Sequence, residues 1–233
     1  AYSRGGLRAA LVALHRGDRR TARQNLRYFA DSAARRYQIR TALAGLARMN
    51  DAEAPRLAIG YLTANEVRPT AMRLLSRWGG AEFEDQLRQA YAVTDPMRQA
   101  ALLDVLQRRG AQDLAPLFAE AEQSDHTELR STARWLQGQP VPEADLLALL
   151  KTGPPWTRRP AADSYLEAVG GHFDAGRLDV ARAMYGALLH PDIPLPLRRA
   201  GLAGLGRTGG DTPENRLRTA LDEADLRMTA HAA

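Results

Sequence analysis

The residues able to do chemistry in this sequence are few, and they are scattered along the chain. Five histidines occur: His15, His126, His172, His190 and His231. None has a second His, Asp or Glu spaced to set two ligands on one helix face, so no metal site is expected. Cysteine is absent, which removes thiolate nucleophiles, disulfides and thiolate metal sites. Glu82, Glu84 and Asp85 form a carboxylate cluster of the kind that general acid–base chemistry needs. They also occupy the first turn of a predicted helix, where the N-terminal dipole favours anions, and that plainer reading accounts for them. No Gly-x-Ser-x-Gly elbow, phosphate-cradling loop or strand-borne Gly-x-Gly-x-x-Gly is present, and Gly79-Gly80, Gly170-Gly171 and Gly209-Gly210 stand where helices stop. His126 stands before a helix in a capping position, and His15 lies near a helix C-terminus, where a cation is favoured. The sequence therefore predicts a protein that is not an enzyme, with no catalytic residue and no cofactor.

What remains is recognition. Trp78 and Trp135 fall at the apolar-phase ends of predicted helices and read as packing between neighbours. Trp156 lies in a Pro-rich stretch beside Arg158 and Arg159 and is expected to be the most exposed of the three tryptophans. Together these form the candidate hot spot, because Trp and Arg supply contact area and planar anion recognition. Net charge is +5, yet residues 1–48 alone carry +9 and the rest of the chain −4. Arg16, Arg19, Arg20, Arg23, Arg27, Arg35 and Arg36 make that end basic, a feature that marks an anionic partner. Lys151 is the only lysine, so a general preference for Arg accounts for the abundance of Arg, although not for its asymmetry.

The elements that must position these residues announce themselves by repetition. Ile39-x-x-Ala42-Leu43-x-x-Leu46 recurs as Arg68-x-x-Ala71-Met72-x-x-Leu75 and Arg98-x-x-Ala101-Leu102-x-x-Val105. It degrades at Arg130-x-x-Ala133 and returns as Arg198-x-x-Gly201-Leu202-x-x-Leu205, with starts 29, 30, 32 and 68 residues apart. A period near thirty is the mark of stacked helical hairpins. Ala and Leu dominate while aromatics make up 6%, a composition that favours helices over strands. No apolar run approaches the ~20 residues of a membrane span. A soluble all-α chain is expected, either cytoplasmic or exported after loss of an N-terminal segment, since residue 1 is Ala rather than Met.

Hydrophobic period and breakers place the helices. The expected hairpins are 6–15 with 20–32, 36–49 with 52–63, 66–78 with 81–93, 96–109 with 111–123, and 127–137 with 142–151. Asn50-Asp51, Gly79-Gly80, Gly110 and Gly138-Gln139-Pro140 mark breaks, and Asp95-Pro96 marks a start. Residues 152–160, with three prolines, are expected to be a kink or linker that ends an N-terminal array over 1–151. Helices 161–172, 176–189, 195–206 and 212–229 then continue the stack over 161–233, with 229–233 frayed.

The Arg-x-x-Ala-Leu-x-x-Leu phrase, a Gly-ended break and a second amphipathic helix together resemble the HEAT repeat over residues 36–151, with Arg198–Gly206 a further first helix. Tyr165, Ala168, Gly176, Ala181, Tyr185 and Leu188 resemble a tetratricopeptide hairpin, and Ala9, Ala10, Gly17, Ala22 and Leu26 match that pattern more weakly. His172 stands where that pattern prefers Tyr, and Val169 where it prefers Gly or Ala. His190-Pro191-Asp192 is shared with J-domain co-chaperones, but the basic helix expected before it is missing and the tripeptide reads as a stiff turn. The resemblance implies a right-handed α-solenoid of about six hairpins, a superhelix that acts as a binding scaffold.

Charge divides by helix type. The second helices over 81–93, 111–123 and 142–151 sum to −6, and the first helices over 67–78, 97–109 and 127–137 to +6. In HEAT-like stacks the second helices line the concave face, so Glu82, Glu84, Asp85, Asp113, Glu120 and Glu122 are the expected groove. Such a groove repels a phosphate backbone and suits a basic or polar protein segment. Reversing Asp113, Glu120 and Glu122 is expected to weaken partner binding without unfolding the chain. The expected function is a non-catalytic scaffold for protein–protein interaction, within a larger protein or assembly. The alternative is a nucleic-acid-binding or DNA-repair protein using the Arg-rich end.

Overall fold

The computed structural model describes residues 9–10, 12–13, 18–31, 36–79 and 82–208. Among them are twelve helices and no strand: α1 (Arg19–Asp31), α2 (Arg36–Arg48), α3 (Ala54–Gly60), α4 (Arg68–Arg77), α5 (Glu82–Val93), α6 (Pro96–Arg109), α7 (Ala115–Glu122), α8 (Thr127–Leu136), α9 (Glu143–Thr152), α10 (Pro155–Asp174), α11 (Leu178–Ala187) and α12 (Leu195–Thr208). The helices predicted over 6–15 and 212–229 lie largely or wholly outside the described residues. The chain divides into two compact units, 1–138 and 139–233.

In the first unit, α2, α4, α6 and α8 stack one on the next. Their buried faces are the repeated phrase itself: Ile39, Ala42, Leu43 and Leu46, then Ala71, Met72 and Leu75, then Ala101, Leu102 and Val105. The small residue lets two axes approach, and each fully buried Leu contributes about 1.5–3 kcal/mol. The second helices α3, α5 and α7 pack chiefly on the first helix that follows them, α4, α6 and α8. This shifts the closer pairing by one helix from the hairpins drawn on the sequence. The two-residue link Thr94–Asp95, capped by Asp95 accepting from the Arg98 amide at 3.1 Å, folds α5 directly back on α6. Neighbour-only packing of this kind is that of an α-solenoid.

The stops predicted at Asn50-Asp51, Gly110 and Gly138 hold, whereas Gly170-Gly171, expected where a helix stops, lie inside α10. Asn50 and Gly110 adopt left-handed conformations at φ 53° and 71°, and the Ala111 amide donates back to Leu106 at 3.1 Å. In the second unit, α9 packs on α10, α10 on α11 and α11 on α12. The stretch predicted to be a kink or linker, 152–160, is instead mostly helix. Pro154 precedes α10 and Pro155 opens it, where a missing amide costs nothing, so only Pro160 removes a bond from the helix interior. On α12, Gly201 and Gly204 let α11 come close: a Cβ on Gly204 would fall inside the Tyr185 ring, and one on Gly201 would sit 2.8 Å from the Tyr185 carbonyl. No helix among the described residues is long and apolar enough to cross a membrane.

Candidate binding surface

The arginines sort into two classes, those that hold the stack together and those that face outward. Arg68 and Arg130, which each open a phrase, belong to the first. Arg68 Nη1 reaches the Leu62 carbonyl at 3.5 Å, and Arg130 Nη1 reaches the Ser124 carbonyl at 2.6 Å, each six residues back at the end of the preceding second helix. Both satisfy carbonyls that a helix end leaves without partners. Burial pulls the Arg68 guanidinium below its ordinary range, Asp104 opposes that shift and Arg108 adds to it. Arg98 pairs with Asp95, and Arg108 Nε with Asp104 at 2.6 Å. Arg109 is deeply set, its side chain 8% exposed. It bonds the Leu75 carbonyl at 2.9 Å and the Trp78 carbonyl, lies 5.1 Å from the Phe83 ring centroid and approaches Glu84 at 4.0 Å.

The basic end is paired in part. Asp51, 1% exposed, takes Arg27 Nη2 at 2.8 Å and Arg23 Nε at 2.6 Å, and its Oδ1 also accepts from the Glu53 amide at 3.0 Å. Arg36 pairs with Glu66. Arg19 and Arg20 are exposed in the first turn of α1, while Arg16 and Arg35 lie outside the described residues. The seven arginines thus do not form one free cluster.

The expected acidic groove is also broken up. Glu84 faces Arg109, and Glu122 bonds the Gln137 side chain. Asp113 sits exposed in a left-handed turn at φ 54°, where its carbonyl takes Arg88 at 3.5 Å. Asp85 and Glu120 are exposed, and the side chain of Glu82 lies outside the described residues. Trp156, expected to be the most exposed of the three tryptophans, sits in the first turn of α10 and is half-buried, as are Trp78 and Trp135. Arg158 Nη2 reaches the Lys151 carbonyl at 3.4 Å, and Arg159 is exposed. The proline-led helix start that sequence reading took for a loop explains the difference. Trp78 is packed as predicted, its ring 6.4 Å from that of Phe83.

The histidines carry no cluster. Among the described residues, no three His, Asp or Glu side chains converge as metal ligands. His172 Nδ1 accepts from Arg177 Nε at 2.9 Å and its Nε2 lies 3.1 Å from Glu143, a contact that ties α9 to α10. His126 precedes α8, but its side chain makes no capping bond. His190 Nδ1 accepts from the Asp192 amide at 3.3 Å in a turn, as predicted. His15 and His231 lie outside the described residues.

The surface that sequence reading missed lies between α2 and α4. Two merging hollows of about 500 and 490 Å³ run along the outer side of this helix pair and share Ala44, Arg48, Thr70 and Arg73. Their cationic lining is Arg40 and Arg48 from α2 with Arg73 and Arg77 from α4, and no carboxylate lines either. All four arginines are exposed, and among the described residues none makes an ion pair or side-chain hydrogen bond. Ala44, Ala47, Gly45 and Leu74 give an apolar floor, with Tyr37 in one hollow and Trp78 in the other. The signal was present in the spacing. Arg40 and Arg48 are two turns apart, Arg73 and Arg77 one turn, and all four fall off the apolar stripes of successive first helices. No protein-family model matches this chain, and no curated protein or solved structure matches it.

Proposed function

We propose that this chain is a non-catalytic helical-repeat scaffold, HEAT-like over residues 36–151 and tetratricopeptide-like around Tyr165–Leu188, that binds a partner protein as a segment of a larger protein or assembly. The observation that supports this reading is the open cleft between α2 and α4. It is built on rigid stacked helices, it is apolar at its floor, and it is ringed by side chains that the stack does not use for its own cohesion. A concave surface with an apolar base and a polar rim is the anatomy of a recognition site. Repeat stacks make such surfaces because each helix pair contacts only its neighbours and leaves its outer side unpaired.

The test is a photo-reactive residue placed at Thr70 in the cleft, or at Glu120 on the second-helix side, in the full chain exposed to extract from its source cells. The scaffold reading expects a discrete protein adduct from at least one position that survives nuclease treatment. Adducts that vanish with nuclease would overturn it in favour of nucleic-acid binding. That second reading keeps one observation in its favour, the four unpaired guanidinium groups of the cleft.

A further inference from the structure

We infer that the α2–α4 cleft docks an acidic segment of a protein partner, with carboxylates on Arg40, Arg48, Arg73 and Arg77 and aliphatic side chains against Ala44, Ala47 and Leu74. This rests on the protein-binding reading above and gives it a place and a chemistry. Charge argues first. Four cations and no anion line one concave surface, so its field attracts negative charge and disfavours a basic segment. The other first-helix arginines with defined partners are occupied by carbonyls or carboxylates of the stack, whereas these four are available. A guanidinium fork donates two parallel N–H bonds to a carboxylate, which fixes orientation as well as affinity.

Spacing argues next. Arg73 and Arg77, one turn apart, hold their Cβ atoms about 5–6 Å from each other. That matches acidic residues one turn apart on a helix, or two apart on an extended strand at about 6.6 Å. Arg40 and Arg48 lie about 12 Å apart along α2. The floor is made of small residues, so it admits the branched side chains that an amphipathic acidic segment carries between its charges.

Nucleic acid fits the same cleft less well. α4 has ten residues and spans about 15 Å. Four guanidinium groups there fall short of the roughly 6–10 phosphate contacts that strong, salt-dependent binding draws on. Single strands are held by successive stacking platforms. Here Trp78 is half-buried against Phe83, which leaves Tyr37, 46% exposed, as the one open aromatic of the lining.

The experiment is fluorescence anisotropy on the full chain with three labelled probes. One is a Glu- and Leu-rich peptide as long as α2, the second the same peptide with every Glu replaced by Lys, and the third a single-stranded oligodeoxynucleotide of equal charge. The variants are R73E/R77E, R40E/R48E and, on the second helices, D113K/E120K. All alter exposed side chains, and circular dichroism verifies that helix content is kept. The Glu peptide is expected to bind, to weaken with salt, and to lose about tenfold or more in affinity with either arginine pair reversed, while D113K/E120K leaves it bound. Binding of the Glu peptide that ignores both arginine reversals overturns the proposal. So does absence of binding, and in that case the crosslinking experiment still decides the scaffold reading. Capture of the Lys peptide that D113K/E120K abolishes also overturns it, moving the docking face to the acidic helices while the scaffold reading stands. Tighter binding of the oligonucleotide, lost in the arginine variants, removes both readings together.

Discussion

At the residue scale, the same side chain does different work according to what its neighbours leave unsatisfied. Asp51 shows this most clearly, since one buried carboxylate gathers two guanidinium groups and a backbone amide. D51N is expected to destabilise the chain by about 2 kcal/mol, because charge-assisted bonds contribute roughly 1.5–3 kcal/mol each and Asn, whose Oδ1 still accepts from Arg27 and the Glu53 amide, loses the charge and the Arg23 pair. R27A is expected to cost less, since Arg23 remains. An unchanged denaturation midpoint in D51N would show that the cluster carries no stability. Tyr91 and Tyr165 give a pH signature. Burial, with the charge of Glu120 beside Tyr91 and of Glu143 beside Tyr165, pushes both phenols up from 10.0 to about 12. Their folded-state values lie above the unfolded one, so the stability they contribute is complete below pH 10 and is lost between about 10 and 12. Spectroscopic titration of the folded chain should show two late-ionising tyrosines, and Y91F and Y165F should each remove one. Such roles were not legible in the sequence. Arg23 and Arg40 look alike on the page, and only the fold tells which of them meets Asp51.

At the element scale, most of the fold was legible and its pairing was not. The phrase Ala-Leu-x-x-Leu states which face of α2, α4 and α6 is buried, and Asp95-Pro96 and Gly110 state where α6 begins and ends, because caps act within one turn. Residues 152–160 misled because three prolines in nine residues resemble a break. Yet Pro154 and Pro155 stand at a helix start, where proline is favoured, and one interior proline did not stop α10. The helix a second helix prefers depends on link geometry and side-chain fit, neither of which a period reveals. The α11–α12 contact offers a matched pair of tests. Gly204 faces the Tyr185 ring, and Gly206 has no heavy atom within 4 Å of a built Cβ. G204A is expected to cost about 1–3 kcal/mol through overpacking. G206A, in the same helix, is expected to gain about 0.5–1 kcal/mol from backbone propensity alone. Equal effects in thermal melts would mean that Tyr185 turns aside freely.

At the scale of the whole molecule, the chain is made of two compact units. The large apolar cluster runs from Ala10 to Ala133 and includes no residue of the second unit. A chain ending at Gly138 is therefore expected to melt within about 2–4 °C of the first transition of the full chain, measured by circular dichroism. A fall of much more than that would mean that residues 139–233 support the first unit. The candidate surface was the least legible feature at this scale. Summing charge by helix type pointed to the second helices, where Glu84 and Glu122 meet internal partners, and passed over the outer side of the first. A sum over helices cannot separate cations that hold a stack from cations that it displays.

The stack of first helices also bears on how the chain is made. Its bonds between elements bridge short stretches of sequence: 24 residues from Arg27 to Asp51, 30 from Arg36 to Glu66 and 34 from Arg109 to Leu75. Low sequence separation favours rapid folding, and repeat arrays nucleate locally and grow by neighbour addition. During synthesis, each first helix after the first finds the preceding first helix already outside the ribosome when it emerges. The arginine-lined cleft between α2 and α4, whose lining ends at Gly79, is thus expected to form while the chain is still attached to the ribosome.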